Sequence, residues 1–143
     1  MYTGLQHLHS YFAYLLLAVL IFSLVYAVTM FVRKRPFTEK VRKVALVGFI
    51  ATHLQLLIGL VLYVVSPRGL SNFSGEAMGD SISRLYILEH PLTMIIGIIL
   101  ISIGYIKAKK PGDDVRRYRN IILFYALGLA LILLRIPWQE WPS

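Results

Sequence analysis

The chain has 143 residues, of which 57% are hydrophobic and 15% charged, with a formal net charge of +8 and a mean hydropathy of +0.67. Ordinary soluble domains are less apolar, so a membrane-spanning chain is expected. There is no cysteine, which excludes disulfides, iron–sulfur clusters and every form of thiolate ligation.

Four apolar stretches follow one another, Tyr11–Val32, Val44–Val65, Leu85–Ile106 and Ile121–Ile136. A helix of about 20 apolar residues crosses ~30 Å of hydrocarbon. The predicted helices therefore run over roughly 8–32, 43–66, 82–107 and 117–137. The expected fold is all-α: a polytopic up-down bundle of four transmembrane helices forming one domain over 1–143.

The first helix has no Lys or Arg before it and no small-residue cleavage site after it. It reads as a permanent span and not as a removable signal peptide. It carries His9, and helical spacing places Ala13, Leu16, Leu20, Ser23 and Ala27 on the same face. His7, two residues earlier, faces elsewhere and belongs to the interface.

The first connection is broken by Pro36 and is rich in charge: Arg33, Lys34, Arg35, Lys40, Arg42 and Lys43. The second helix holds His53 near its middle. It also holds a polar stripe of Gly48, Thr52, Gln55, Gly59, Tyr63 and Ser66, about 120° away from His53. The connection from Ser66 to Ser83 is the one long loop, with Gly69, Gly75, Gly79, Glu76 and Asp80. It reads as a solvated loop, with a cap over the bundle as the alternative, and Asp80 or Ser81 as N-cap of the next helix.

The third helix carries Glu89, His90 and Pro91. His90 shares a face with Tyr86, Thr93, Gly97, Ile101 and Gly104. Pro91 is expected to free a backbone carbonyl one turn earlier and to kink the helix. Pro111-Gly112 breaks the next turn, which is again basic: Lys107, Lys109, Lys110, Arg116, Arg117 and Arg119. The fourth helix ends near Arg135, and Trp138 and Trp141 beyond it suit the membrane interface. The remaining tyrosines are read mostly as aromatic belt.

This charge distribution argues against nucleic acid as a partner. Only Arg68, Arg84 and Arg135 lie at the end opposite the two basic connections. Basic connections stay cytoplasmic, so both termini and the long loop are expected on the periplasmic side of a bacterial inner membrane. The basic connections are expected to meet anionic headgroups of the lipid bilayer.

Three histidines, His9, His53 and His90, lie within spans. An ionisable residue inside a membrane is costly and tends to serve a purpose, and neutral imidazole is a good ligand for transition metals. His9 and His90 fall at similar depth near the outer end, and they are the expected metal ligands. His53 lies roughly 10 Å deeper by helix rise and is a third cofactor-binding candidate. Arg135, at the level of His9 and His90, is a fourth, as a partner for ligand carboxylates, with an ion pair to Glu89 or snorkelling to the interface as the alternative. No catalytic residue is assigned.

Gly4-Leu5-Gln6-His7-Leu8-His9-Ser10, Thr52-His53-Leu54-Gln55-Leu56, Glu89-His90-Pro91 and Ile136-Pro137-Trp138 together resemble small four-helix membrane proteins of Bacteroidota labelled cytochrome B. A more distant likeness is to quinone-linked membrane protoporphyrinogen oxidases and copper-resistance D-type proteins. The former open with a histidine early in helix one, matched here by His9. They carry a lysine near the start of helix three, where this chain has His90, and both positions are implicated in haem ligation. That departure keeps a nitrogen ligand but weakens the implied oxidase activity.

The expected function is that of a b-type haem protein passing electrons within the membrane. His9 and His90 would be axial ligands and Arg135 would sit near the propionates. Exchange is expected with quinone or quinol, a respiratory complex or a periplasmic electron carrier, and a homo-oligomer is allowed. The alternatives are a membrane oxidase acting on porphyrinogen or quinol, with Glu89 or His53 moving protons, and a cofactor-free subunit of a larger membrane complex. A copper or zinc transporter ranks lower, because the chain has one main cluster and no series of sites.

Overall fold

The computed structural model describes residues 1–142. Four long helices form the molecule: α1 (Tyr2–Val32), α2 (Glu39–Val65), α3 (Ser81–Lys109) and α4 (Asp114–Leu134). Each is long and apolar enough to cross a membrane, and there is no strand among the described residues. The chain is a multi-pass, all-α four-helix bundle. Helix α1 packs closely on α2 and α3 on α4, and these two hairpins face each other across the bundle.

The helix ends differ from expectation for identifiable reasons. Helix α1 begins at Tyr2, six residues earlier than the apolar pattern implies. A helix pairs its own backbone groups wherever it runs, and nothing in Tyr2–Leu8 breaks it. Helix α2 gains a turn from Glu39, whose carboxylate suits the positive N-terminal end and is held by Arg42 at 2.8 Å. Asp113 caps α4 by accepting from the Arg116 backbone N–H at 3.1 Å. Asp80 does the same for α3, accepting from Ser83 N–H at 3.0 Å.

The predicted break at Pro91 takes the form of a π-helical turn over Leu85–Glu89. Pro91 has no N–H for the carbonyl of Ile87. The Tyr63 hydroxyl, from α2, donates to that carbonyl at 2.8 Å. Helix α4 stops at Leu134, short of the expected 137, for the same reason. Pro137 cannot serve the carbonyl of Leu133, and the Trp138 indole N–H does so at 2.8 Å.

The inward faces follow the helical spacing. Leu16, Leu20, Ser23 and Ala27 are buried on α1. Of the polar stripe, Gly48, Thr52 and Gln55 are buried on α2 and Ser66 at its end. Small residues set the α3–α4 distance: a Cβ on Gly128 would lie 2.7 Å from the Gly97 carbonyl oxygen and 2.6 Å from Ile101 Cγ1. Such close approach is how helices gain contact in lipid, where no hydrophobic drive holds them together.

The aromatic-belt reading fails for three tyrosines. Tyr105, Tyr118 and Tyr125 belong to the buried core. Tyr125 donates to the Ala45 carbonyl at 2.6 Å and Tyr118 to Pro36 at 3.1 Å. These two phenols bury a ring and spend the polar tip on a backbone group of another helix or turn, while the Tyr105 hydroxyl accepts from Arg42 at 2.9 Å. Several basic side chains are likewise committed to protein. Arg116 and Arg117 donate to the last carbonyls of α3, including Lys107 at 3.0 Å and Ala108 at 2.7 Å, which completes the helix end.

Candidate functional site

At the end of the bundle opposite the basic connections, the two hairpins part around a cavity of about 250 Å³. Its inner wall is aliphatic, with Leu16, Leu56, Met94 and Ile98 among its residues, and its mouth is polar, with Gln6, Arg68, Tyr86 and Glu140. His9 and His90 both line it. Their ring centroids are 6.2 Å apart and their planes nearly perpendicular at 88°. The structure brings together two side chains 81 positions apart in sequence, from helices α1 and α3.

His90 is aimed by the end of α4. The last turn of any helix leaves carbonyls without helical partners. Here Pro137 stops the helix, and the carbonyl of Arg135 accepts a hydrogen bond from His90 Nδ1 at 2.8 Å. A carbonyl can only accept, so Nδ1 carries the proton and the neutral ring presents the lone pair on Nε2. This backbone-to-imidazole contact is the usual outer support of a metal-bound histidine.

His9 is aimed from α2. Gly59 lies against its ring: a Cβ there would sit 3.1 Å from His9 Cε1 and 3.6 Å from Nδ1. Gln55 donates from Nε2 to the His9 carbonyl at 2.7 Å. His9 Nδ1 and Gln55 Oε1 are both buried and take no hydrogen-bond partner among the described residues. They lie on neighbouring side chains, and an Nδ1–H on His9 would complement Oε1. Such a pairing would leave Nε2 of His9, like Nε2 of His90, as the free lone pair. The polar stripe on α2 is thus the face that meets His9.

The other sequence candidates lie elsewhere. His53 does not line the cavity. Its Nδ1 donates to the Phe49 carbonyl at 2.7 Å, and Nε2 lies 3.1 Å from the Ser102 hydroxyl. Both nitrogens therefore have protein partners, and the ring stacks on Phe49 at 4.1 Å. The Arg135 side chain is also outside the cavity lining, with Nε 3.7 Å from Glu89 Oε1. Glu89 takes a second, closer contact from Arg84 at 2.9 Å. The Arg135 side chain thus faces Glu89, and it is the Arg135 backbone carbonyl that reaches His90. His7 stacks on Tyr11 at 6.0 Å on the exposed side of α1.

Sequence reasoning missed Arg68 and Glu140. Arg68 follows Ser66-Pro67 in the long loop, where its amide N–H bonds the Ser66 hydroxyl at 3.1 Å. Glu140 lies in a C-terminal turn that folds back over the bundle, held by the Trp141 indole on the Ser10 carbonyl at 3.3 Å and by Trp141 against Tyr14 at 4.7 Å. Arg68 and Glu140 form an ion pair, and Tyr86 donates to the same carboxylate at 2.7 Å. The two cationic and phenolic donors hold the Glu140 carboxyl below the usual carboxylate range. No periodic pattern marks these two residues; the juxtaposition of loop and tail is purely tertiary.

Among the described residues no group of three or more His, Asp or Glu side chains could hold a metal ion. The donor set at the cavity is two imidazoles. With metal–nitrogen distances of about 2.0–2.1 Å, and a ring nitrogen about 1.1 Å from its centroid, an ion between them would space the centroids at roughly 6.3 Å. The observed 6.2 Å fits. An ion with only two protein ligands here must bring the others itself, as iron in a macrocycle does. An aliphatic cavity of ~150 Å³ takes a benzene-sized ligand; at about 250 Å³ this one would enclose only part of a flat macrocycle, the remainder lying outside through the mouth. A flat macrocycle gripped by both rings would have its edge at the polar mouth. No family model, curated protein or solved structure matches the chain.

Proposed function

We propose that the chain is a b-type haem membrane protein that transfers electrons, with His9 and His90 as the axial ligands of one haem. The observation that carries the proposal is the pair of cavity-facing imidazoles at bis-ligand spacing, with His90 held by the Arg135 carbonyl. Haem would supply a one-electron iron couple in a low-dielectric cavity. The chain's own residues would position it: the Arg135 carbonyl holds His90, Gln55 holds the His9 backbone, Gly59 leaves room for the His9 ring, and the inner wall is aliphatic. With both His9 and His90 holding the iron, the group would supply one-electron transfer in preference to oxygen chemistry.

The membrane placement proposed for this function is the bacterial inner membrane with the haem end periplasmic. It rests on the basic connections at the opposite end. The cavity mouth then faces quinol at the outer leaflet or a periplasmic electron carrier. The resemblance to small cytochrome-like four-helix proteins agrees with this assignment.

The test is optical. Protein purified in mild detergent from haem-replete cells is compared with His9→Ala, His90→Ala and His53→Ala by reduced-minus-oxidised spectra. Sharp low-spin bands lost in His9→Ala and His90→Ala and kept in His53→Ala support the assignment. A colourless, folded wild type refutes it and returns the chain to the class of cofactor-free subunits.

A further inference from the structure

Arg68, Tyr86 and Glu140 meet at the cavity mouth, one helical turn or so outside the imidazole pair. Tyr86 precedes His90 by four residues on α3, about 6 Å toward the outer end. The Arg68 guanidinium lies over the Tyr86 ring, 4.8 Å from its centroid. Among the described residues only its Nη1 has a hydrogen-bond partner, Glu140 Oε2. The rest of its donor fork is unspent, and a guanidinium fork matches carboxylate geometry. Glu140 itself is a carboxylate held on a short C-terminal turn. Both side chains are substantially exposed, 46% and 39%, and such pairs hold weakly against exchange.

We infer that Arg68, backed by Tyr86, is a carboxylate-binding subsite for the ligand gripped by His9 and His90, and that Glu140 is its internal competitor. This rests on the haem reading above: the carboxylates are the two acid arms of the tetrapyrrole, which would leave the macrocycle edge at the mouth. Arg135, the cation singled out by sequence depth, is tied to Glu89. Arg68 lines the cavity and takes the role instead. The arms enter by displacing or sharing the Glu140 contact. The C-terminal turn from Pro137 to Trp141 then acts as a strap whose hold on Arg68 depends on the ligand's charge.

The test titrates detergent-solubilised protein with iron protoporphyrin IX and with its dimethyl ester, following the Soret band. Wild type should bind the free acid about tenfold more tightly than the ester. Arg68→Gln should abolish that preference while keeping the low-spin bis-imidazole spectrum. Glu140→Gln should tighten free-acid binding severalfold and leave ester binding unchanged. Equal affinity of wild type for acid and ester would overturn the subsite while leaving the histidine assignment intact. So would a preference that survives in Arg68→Gln, or an unchanged free-acid affinity in Glu140→Gln. Failure of wild type to bind either porphyrin would overturn both readings. Should Arg68→Gln not fold, the ester comparison in wild type and the Glu140→Gln titration decide the matter.

Discussion

Gln55→Leu separates the support of the site from the stability of the fold. Gln55 is 8% exposed and spends Nε2 on the His9 carbonyl at 2.7 Å, with Oε1 unpartnered among the described residues. Leucine has a similar volume, so packing changes little. The His9 carbonyl keeps its place in the α1 ladder, so no backbone group is orphaned. Losing one interhelical hydrogen bond in a membrane bundle costs about 0.6 kcal/mol on average. The net change in unfolding free energy should therefore fall within about 1 kcal/mol of zero. Haem binding should respond far more, because outer support of a metal-bound histidine is worth roughly 10–100-fold in affinity. The assay is a haem titration of apoprotein beside an unfolding titration in mixed detergent micelles. Wild-type haem affinity in Gln55→Leu would refute the role of Gln55 in aiming His9. A loss of stability far above 1 kcal/mol would refute the claim that it acts on the site and not on the fold.

Gly128→Ala should destabilise the bundle by about 1–3 kcal/mol through overpacking. Its Cβ would meet backbone at 2.7 Å, and the variant should also weaken haem binding by moving α4, and with it the Arg135 carbonyl, away from His90. Unfolding in mixed micelles and a Soret titration report the two effects. Tyr125→Phe should cost about 1 kcal/mol by removing the interhelical hydrogen bond to the Ala45 carbonyl, with no change in the haem spectrum. The Glu140 carboxyl sits below its ordinary range in the folded chain because Arg68 and Tyr86 hydrogen-bond its charged form. The strap's attachment should accordingly be intact at neutral pH and lost as pH falls through that depressed value. Tryptophan fluorescence should record the transition in wild type and not in Glu140→Gln.

The four spans were legible because lipid imposes length and hydropathy on any helix that crosses it, and α1 to α4 each satisfy that rule. The face of His9 was legible for the same reason. Leu16, Leu20, Ser23 and Ala27 recur at helical spacing, and all four are buried. The breaks at Pro91 and Pro137 were visible as missing N–H groups, but their consequences were not. Which donor serves a freed carbonyl depends on a neighbouring helix or a following loop, as with Tyr63 on Ile87 and Trp138 on Leu133. Depth arithmetic paired His9 with His90, and the structure places their rings 6.2 Å apart. The same arithmetic placed Arg135 at that level and said nothing of Arg68, because a loop residue has no depth until the loop is folded. Tyr118 and Tyr125 misled by type: a tyrosine on a spanning helix is as readily a buried donor as an interfacial anchor.

Electron paramagnetic resonance of the oxidised protein tests the central claim most directly. Iron held by His9 and His90 with ring planes 88° apart should give one low-spin ferric species with the strongly anisotropic signal of perpendicular axial imidazoles, absent from His9→Ala and from His90→Ala. A high-spin signal in wild type, or a low-spin signal that survives both substitutions, would contradict the account.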